Sequence, residues 1–342
     1  MAGNFLSDNP WKTRDEDFPR NGSRADQLAF CINYAVLAPS VHNTQPWLFT
    51  AHADAIELFA DRSRLLKVSD PNGRDMLISC GAALTNLMVA IQHFGNEVSV
   101  QYLPDPDVPE LLARVRIGRS HKSDHLDDVM FRSIRRRRSI RRPFQPRSVP
   151  HELQRRLIWT ASEYGCWLYF AESIETRTKI ADLVVRAHCL HLNNAAYQAE
   201  RLVWIGSGDP SRRYGLSVPT ALDWETLGSR DADPGQHWMA RDRDLLRTSP
   251  VLCVIGSGAD RPLDWFRTGE ALQRMLLRAE MEGVSASFMN QACQNPDLRD
   301  ELRQVTGRRG PPQLLIRMGY ATGSEPTPRR PVRDVVRCSI TQ

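Results

Sequence analysis

The stretch Ala38-Pro39-Ser40-Val41-His42-Asn43-Thr44-Gln45-Pro46-Trp47 lies between a helical pattern and an apolar run, Trp47-Leu48-Phe49. Pro39 and Pro46 each bias the preceding residue away from the α region, so the sequence predicts a stiff, extended loop. Such a loop would present hydroxyl, imidazole and amide groups to a planar ligand with polar edges. A rigid connection with satisfied side chains fits the composition equally well. The helical pattern before it consists of apolar residues at Leu28, Ile32, Ala35 and Val36.

The bulk composition predicts a globular cytoplasmic protein. The chain has 342 residues, of which 41% are hydrophobic and 25% charged, enough for one large or two medium domains. No run approaches the ~18 apolar residues of a membrane helix, and the polar N-terminus lacks the apolar core of a secretory signal. The seven cysteines are scattered without a CxxC pair, which favours reduced thiols over disulfides or zinc.

Two histidine pairs have spacings that metal ligands on a helix also show. His121 and His125 have i,i+4 spacing with aspartates nearby, but this short polar stretch fits a solvated connection better. His188 and His191 have i,i+3 spacing and no obvious Cys or carboxylate partner, so we interpret them as helix surface or core. We predict no metal site.

Positive charge is concentrated in one segment. The net charge is +5, and seven of the 45 Lys and Arg residues fall between Arg132 and Arg142. Nucleic-acid binding is the weakest functional hypothesis because the rest of the chain is balanced in charge and carries no nucleic-acid motif. A local anion site is the better interpretation.

Several motifs resemble the nitroreductase superfamily, and more narrowly the Acg family of FMN-binding proteins. The resemblance runs from about residue 25 to residue 336 and is weak over residues 1–24 and 205–245. It rests on the loop 38–47 and on Asp70-Pro71-Asn72-Gly73-Arg74, Ser79-Cys80-Gly81-Ala82-Ala83-Leu84, Arg137-Arg138-Ser139-Ile140-Arg141-Arg142-Pro143-Phe144, Gly269-Glu270-Ala271-Leu272 and Thr327-Pro328-Arg329-Arg330-Pro331.

An internal repeat accompanies these motifs. Gly81 and Gly95 bracket one apolar helix, and Gly269 and Gly283 bracket another with the same spacing. A helix and a Trp-Leu-aromatic strand precede each of them. Chance alignment of two amphipathic helices is the alternative, but the ordered recurrence favours duplication. Small residues early in the first helix also predict that another backbone approaches it closely.

The resemblance implies an α+β, nitroreductase-like fold duplicated in one chain, with central antiparallel sheets packed against helices. Nitroreductases are usually homodimers with FMN at the interface, and a fused duplicate would imitate that dimer. We expect an N-terminal arm at 1–24 that wraps a neighbour or is mobile, a first half at 25–125 and a second at 126–342. The second half carries a lid insertion at 194–240. Residues 285–291 are predicted as a loop, and 334–338 as a final extended piece.

The halves have diverged in complementary ways, which implies one FMN per chain. Only the front half keeps the loop, and only the rear half keeps the Arg-Arg-Ser-x-Arg segment, in which alternate residues face one side if the segment is extended. By resemblance, the phosphate contacts are Arg137, Arg138, Ser139 and Arg141, with a second cationic contact at Arg329 and Arg330. Candidates for the flavin ring or ribityl chain are Pro39, Ser40, His42, Asn43, Gln45, Met289 and Asn290.

The predicted function is hydride transfer from NAD(P)H to FMN and on to a small acceptor such as a nitro compound or quinone. Hydride chemistry belongs to the flavin, so no dedicated catalytic residue is assigned. The absence of a GxGxxG motif predicts that nicotinamide binds only transiently. The alternative is an FMN storage or sequestration protein whose lid blocks turnover. We expect a monomeric pseudo-dimer, with higher association left open, and neither a nucleic-acid nor a membrane partner.

Overall fold

Two antiparallel sheets of four strands form the framework. The computed structural model describes residues 5–205, 212–216 and 234–337, and of 234–238 only the backbone. The strand orders are β1-β2-β4-β3 and β5-β6-β8-β7, so the four strands have the same spatial order in both sheets. The strands are β1 Trp47–Ala51, β2 Ala55–Ala60, β3 Asn96–Tyr102, β4 Leu111–Ser120, β5 Cys166–Phe170, β6 Val251–Ser257, β7 Val284–Phe288 and β8 Pro312–Tyr320.

Helices pack against both sheets, which confirms the predicted α+β class. Ser23 begins the first helix with a capping box that includes Asp26, and Asp124 begins the third in the same way with Asp127. The helices are α1 Arg24–Ala35, α2 Arg74–His93, α3 His125–Arg136, α4 His151–Ser162, α5 Ile174–Leu192, α6 Ala195–Trp204, α7 Pro234–Thr248, α8 Pro262–Met281, α9 Gln291–Gln294 and α10 Pro296–Thr306.

The two glycine-bracketed helices, α2 and α8, cross at the centre of the molecule. A Cβ atom on Gly81 would lie closer than 3.0 Å to the carbonyl oxygen of Phe266, and one on Gly269 equally close to that of Ile78. Each glycine therefore lets the other helix's backbone approach, as the sequence predicted. Gly95 and Gly283 follow these helices with φ of +94° and +73°, which suits glycine as the residue that ends a helix.

Helix α2 is long and apolar enough to cross a membrane, with a mean hydropathy of 1.3 over the window tested. However, 78% of that window is buried inside the fold. Within the described residues, α2 therefore occupies the position of a core helix.

The carboxyl group of Glu270 is fully buried beside this crossing. Its Oε1 accepts a hydrogen bond from Tyr102 Oη at 3.2 Å, and its Oε2 has no partner in the described part of the chain. Burial raises the pKa of Glu270 to about 8. The folded protein therefore binds this proton more tightly than the unfolded chain, in which a glutamate titrates near about 4.3.

This carboxyl makes stability depend on pH. Its contribution is complete below about pH 4 and is lost as the pH rises towards 8. Glu270→Gln removes the titrating group, so in urea unfolding we expect the free energy of unfolding of the variant to exceed that of the wild type at pH 8 by on the order of 4 kcal/mol. At pH 5 the difference should fall to about 1 kcal/mol. A constant difference between pH 5 and pH 8 would contradict the assignment.

Three sequence predictions differ from the structure. Residues 285–288 are not loop but most of β7, a strand rich in small residues that pairs with β8. The described part of the N-terminal arm packs against its own chain, because Phe18 is buried and its ring stacks on Phe94 at 4.0 Å between centroids. Near the C-terminus, residues 332–334 form a 3-10 turn. Of the predicted extended piece, residues 335–337 pair with β1 through backbone hydrogen bonds. Residue 338 lies outside the described part.

Candidate functional site

Two adjoining cavities lie where the loop 39–43 meets β7. A cavity of about 460 Å³, here called the arginine-lined cavity, is bordered by the 137–142 segment. A cavity of about 260 Å³, here called the helix-lined cavity, is bordered by α5, α6 and α7. Together they suit an elongated ligand with an anionic end. The residues that line both are Pro39, Ser40, Arg141, Leu216 and Phe288.

The 137–142 segment follows the end of α3, and its backbone pairs with the edge of β7 at residues 139 and 140. Ser139 forms a parallel bridge with Ala286, and Ile140 N–H donates to Ala286 O at 2.9 Å. Arg137, Ser139 and Arg141 all line the arginine-lined cavity. The strand pairing therefore fixes the positions of these side chains.

Two guanidinium groups in this cavity are short of partners. Arg137 is 5% exposed, and its Nε has no hydrogen-bond partner among the described residues. Its two recorded side-chain hydrogen bonds, to Leu37 O and Ser139 Oγ, are long, at 3.4 and 3.5 Å. Arg141 makes no side-chain hydrogen bond or ion pair within residues 5–205, 212–216 and 234–337 that the structure records.

Burial, followed by the charge of a neighbouring arginine, lowers the pKa of Arg137 and of Arg141 to about 10, so both remain charged at neutral pH. Among the described residues lining this cavity, five are arginines and the only carboxylate is the exposed Glu325. A buried cation without a counter-charge is costly. The donor set therefore fits an anion that accepts several hydrogen bonds, such as a phosphate.

Arg329 has a different environment, although it also lines the arginine-lined cavity. Its guanidinium donates to the carbonyl oxygens of Val36, Leu37 and Ala38 at 2.9–3.2 Å, and to Asn43 Oδ1 at 3.1 Å. These carbonyls lie just beyond the end of α1. Arg329 therefore joins the end of this helix to the loop, in addition to the charge it contributes.

The loop itself is tightly turned, so the prediction of an extended loop was wrong for its centre. His42, Asn43 and Gln45 have φ of +46°, +55° and +53°, a region that residues with side chains rarely adopt. The prolines restrict only their immediate neighbours, whereas tertiary contacts fix the centre. Asn43 Nδ2 donates to Gly215 O and Pro328 O, both at 3.0 Å. Strained backbone of this kind concentrates at functional sites.

Eleven of the thirteen predicted site residues line one cavity or both, and Gln45 and Arg330 line neither. Gln45 is fully buried, donates to Arg213 O at 2.9 Å and accepts from Arg330 N–H at 2.8 Å. The Arg330 side chain contacts Asp61 Oδ2 at 3.4 Å and Asp334 O at 2.9 Å. The polar groups of these two residues are used to build the loop. The eleven are Pro39, Ser40, His42, Asn43, Arg137, Arg138, Ser139, Arg141, Met289, Asn290 and Arg329.

The helix-lined cavity brings in residues that sequence reasoning did not assign. His188 on α5 contacts Asp242 on α7, with 2.7 Å between Nε2 and Oδ2. The i,i+3 spacing of His188 and His191 was the available signal, but the carboxylate lies 54 positions away in sequence. His42 also lines this cavity, and burial, followed by the charge of Arg141, lowers its pKa to about 4. His42 is therefore neutral at physiological pH. Among the described residues, no cluster of three His, Cys, Asp or Glu side chains is arranged to hold a metal ion.

Comparison with known proteins gives the family. The nitroreductase family model matches residues 134–320, more than half of the chain. "Putative NAD(P)H nitroreductase Rv3131" of Mycobacterium tuberculosis is 30% identical over 324 residues, which cover 91% of each chain. This chain belongs to the nitroreductase family.

Two further relatives of this nitroreductase-family protein extend the comparison. "Putative NAD(P)H nitroreductase acg" of M. tuberculosis is 28% identical over 326 residues, 91% of this chain and 95% of its own, in agreement with the predicted resemblance. The crystal structure of the FMN-dependent nitroreductase NfnB from Mycobacterium smegmatis in complex with NADPH covers 62% of this chain and 98% of its own. Its TM-score is 0.44 at 18% identity.

Proposed function

We propose that this nitroreductase-family protein is an FMN-dependent oxidoreductase that takes a hydride from NAD(P)H and passes it to a small nitro compound, quinone or similar acceptor. The observation that carries the proposal is the pair Arg137 and Arg141. Both are charged, both are short of partners, and both line the arginine-lined cavity, which shares lining residues with the helix-lined cavity. A phosphate at one end of a planar cofactor matches this arrangement.

The residues present fit FMN. Arg137, Ser139 and Arg141 would bind its phosphate, with Arg138 and Arg329 adding positive charge. FMN when bound supplies the hydride chemistry, and the protein supplies position and shielding. Residues proposed to contact the ring or ribityl chain come from two elements, the loop and the end of β7: Pro39, Ser40, His42, Asn43, Met289 and Asn290.

Anaerobic addition of NADPH to the FMN-loaded protein tests the proposal. Rapid loss of the visible flavin absorbance, restored by a quinone, is the result expected of an enzyme. An FMN-loaded protein whose absorbance does not change with NADH or NADPH would overturn the oxidoreductase proposal and favour storage. Failure to take up FMN at all would overturn both.

Storage of FMN is the second candidate function. Helix α6 lines the helix-lined cavity and is held by hydrogen bonds, which would restrict access to a flavin bound there. Glu200 on α6 accepts hydrogen bonds from the backbone N–H groups of Val68 and Ser69, at 2.9 and 3.0 Å. Beyond α6, Gly215 N–H donates to Asn43 O at 3.2 Å. These contacts hold residues of the predicted lid over the loop. The rest of that lid, residues 206–211 and 217–233, lies outside the described residues.

Replacing Glu200 with alanine tests how far this contact limits access. The variant loses hydrogen bonds to a charged group, so we expect flavin release and flavin reduction by NADPH to become about tenfold faster. Stopped-flow absorbance measures both rates. Glu175→Ala, an exposed glutamate on α5, is the control. Equal rates in all three proteins would show that this contact does not restrict the cavity.

The two sheets of identical strand order support an internal duplication, with residues 25–125 and 126–342 as pseudo-equivalent halves after the 1–24 arm. In this proposal one FMN lies between the halves, and the fused chain takes the place of a homodimer. A cytoplasmic location and a monomeric state in solution belong to the same proposal. Mass measurement of the flavin-loaded protein tests the stoichiometry and the oligomeric state together.

A further inference from the structure

The helix-lined cavity contains a histidine–aspartate pair that has no role in the proposed contacts with the flavin. His188 Nε2 and Asp242 Oδ2 are 2.7 Å apart, and their side chains are 14% and 16% exposed. Gln291 Nε2 lies 3.4 Å from both atoms. All three residues line the cavity. The ring nitrogen Nδ1 of His188 makes no recorded hydrogen bond with the described residues, so the pair leaves one nitrogen available to a ligand.

The other histidines of this cavity are not equivalent. The His191 ring stacks on Tyr197, with 3.9 Å between centroids, and no carboxylate contact is recorded for it among the described residues. Burial lowers the pKa of His191 to about 4, as it does for His42. Among the three histidines that line the cavity, His188 is the one for which the described residues record a hydrogen-bond contact between a ring nitrogen and a carboxylate.

The origin of the lining residues suggests which ligand this pair meets. The residues proposed to hold FMN come from the loop, the 137–141 segment and the end of β7. His188 and Asp242 come from α5 and α7, which flank the predicted lid. The chain thus supplies a proton-carrying group to the same cavity from elements that the flavin assignment does not use.

We propose that His188, oriented by Asp242 and Gln291, is the proton donor to the electron acceptor bound in the helix-lined cavity. The inference rests on the proposed function. A quinone that gains a hydride, which carries two electrons and one proton, needs one further proton to become a hydroquinone. The His188 imidazolium supplies that proton to the quinone oxygen, becomes neutral and regains a proton from solvent. Asp242 is a positioning residue in this scheme.

Acceptors that differ in their need for protons test the proposal. The FMN-loaded protein is first reduced with dithionite and then mixed with benzoquinone or with ferricyanide, which takes one electron and no proton. We expect His188→Gln to slow the reaction with benzoquinone about 100-fold and to leave that with ferricyanide unchanged. Asp242→Asn preserves the shape of the pair. Like His188→Gln, it should slow the reaction with benzoquinone and not the reaction with ferricyanide. Equal effects on both acceptors, or no effect on either, would overturn the proposal.

The matched control is a second histidine–aspartate pair with the same geometry. His121 Nε2 and Asp127 Oδ2 are also 2.7 Å apart but line neither cavity, so His121→Gln should change neither rate. Because dithionite replaces NAD(P)H, this experiment stays informative even if the protein fails to oxidise NAD(P)H, which would contradict only the proposed function.

Binding provides a readout that is independent of turnover. Benzoate has the shape of nitrobenzene but cannot be reduced. If His188 contacts the acceptor, His188→Ala should weaken benzoate binding about tenfold by calorimetry, since one charge-assisted hydrogen bond is lost. His121→Ala should have no effect. Benzoate affinity unchanged by His188→Ala would place the acceptor away from His188 and overturn the proposal.

Discussion

Alanine at Arg137 and Arg141 is expected to abolish flavin retention. Both guanidiniums lie in the arginine-lined cavity, and a phosphate would complete their hydrogen bonding. A hydrogen bond to a charged group is worth about 1.5–3 kcal/mol, so each single variant should lose about 10- to 100-fold in FMN affinity. The double variant should purify colourless. Fluorescence titration of the flavin-free proteins with FMN measures these losses.

Arg136→Ala is the matched control because Arg136 belongs to the same basic run but lines neither cavity. Its side chain is 54% exposed and lies 3.9 Å from Glu280. The flavin-free Arg137→Ala protein should melt no lower than the flavin-free wild type, because the variant removes a buried cation that makes no direct ion pair with the described residues. FMN affinity that is unchanged in the double variant, or reduced equally in Arg136→Ala, would refute the phosphate assignment.

Gly269→Ala is expected to produce the largest loss of stability. Its new methyl group would lie closer than 3.0 Å to the carbonyl oxygen of Ile78, an atom of the α2 backbone that cannot rotate away. The two central helices must therefore separate, at a cost of about 3 kcal/mol. Urea unfolding measures the loss as a lower transition midpoint. Gly81→Ala should behave alike, because the contact is reciprocal.

Gly258→Ala separates this packing effect from the general effect of replacing a glycine. Apart from its two chain neighbours, no described residue has an atom within 4 Å of the position its Cβ would take, so we expect a change within about 0.5 kcal/mol. If Gly269→Ala were as mild as Gly258→Ala, the close approach of α2 and α8 would not contribute as argued here. A loss confined to the Gly269 and Gly81 variants would support it.

The parts of the site predictable from sequence are those that depend on local chemistry. The glycines at both ends of the repeat in α2 and α8 could be recognised from the sequence, because few other residues permit a close backbone crossing or a positive φ. The arginine segment was recognisable in the sequence because its charge is concentrated and Pro143 follows it directly. Neither feature needs knowledge of a distant contact.

The parts that could not be predicted depend on partners far apart in sequence. The left-handed turn at His42 and Asn43 depends on contacts with Gly215 and Pro328. The strand β7 lacks a strong apolar alternation, and its pairing with β8 and with the 139–140 backbone defines it. Local propensity contains no information about such pairings.

By itself, the sequence determined the α+β class, the two central helices and the chemistry of the predicted site residues. The tertiary structure alone decided that Arg329 holds the end of α1 to the loop and that Gln45 and Arg330 build the loop instead of lining a cavity. It also brought His188 beside Asp242. The physical reason is that a side chain's type fixes which bonds it is able to make, whereas the folded backbone fixes which partner is within reach.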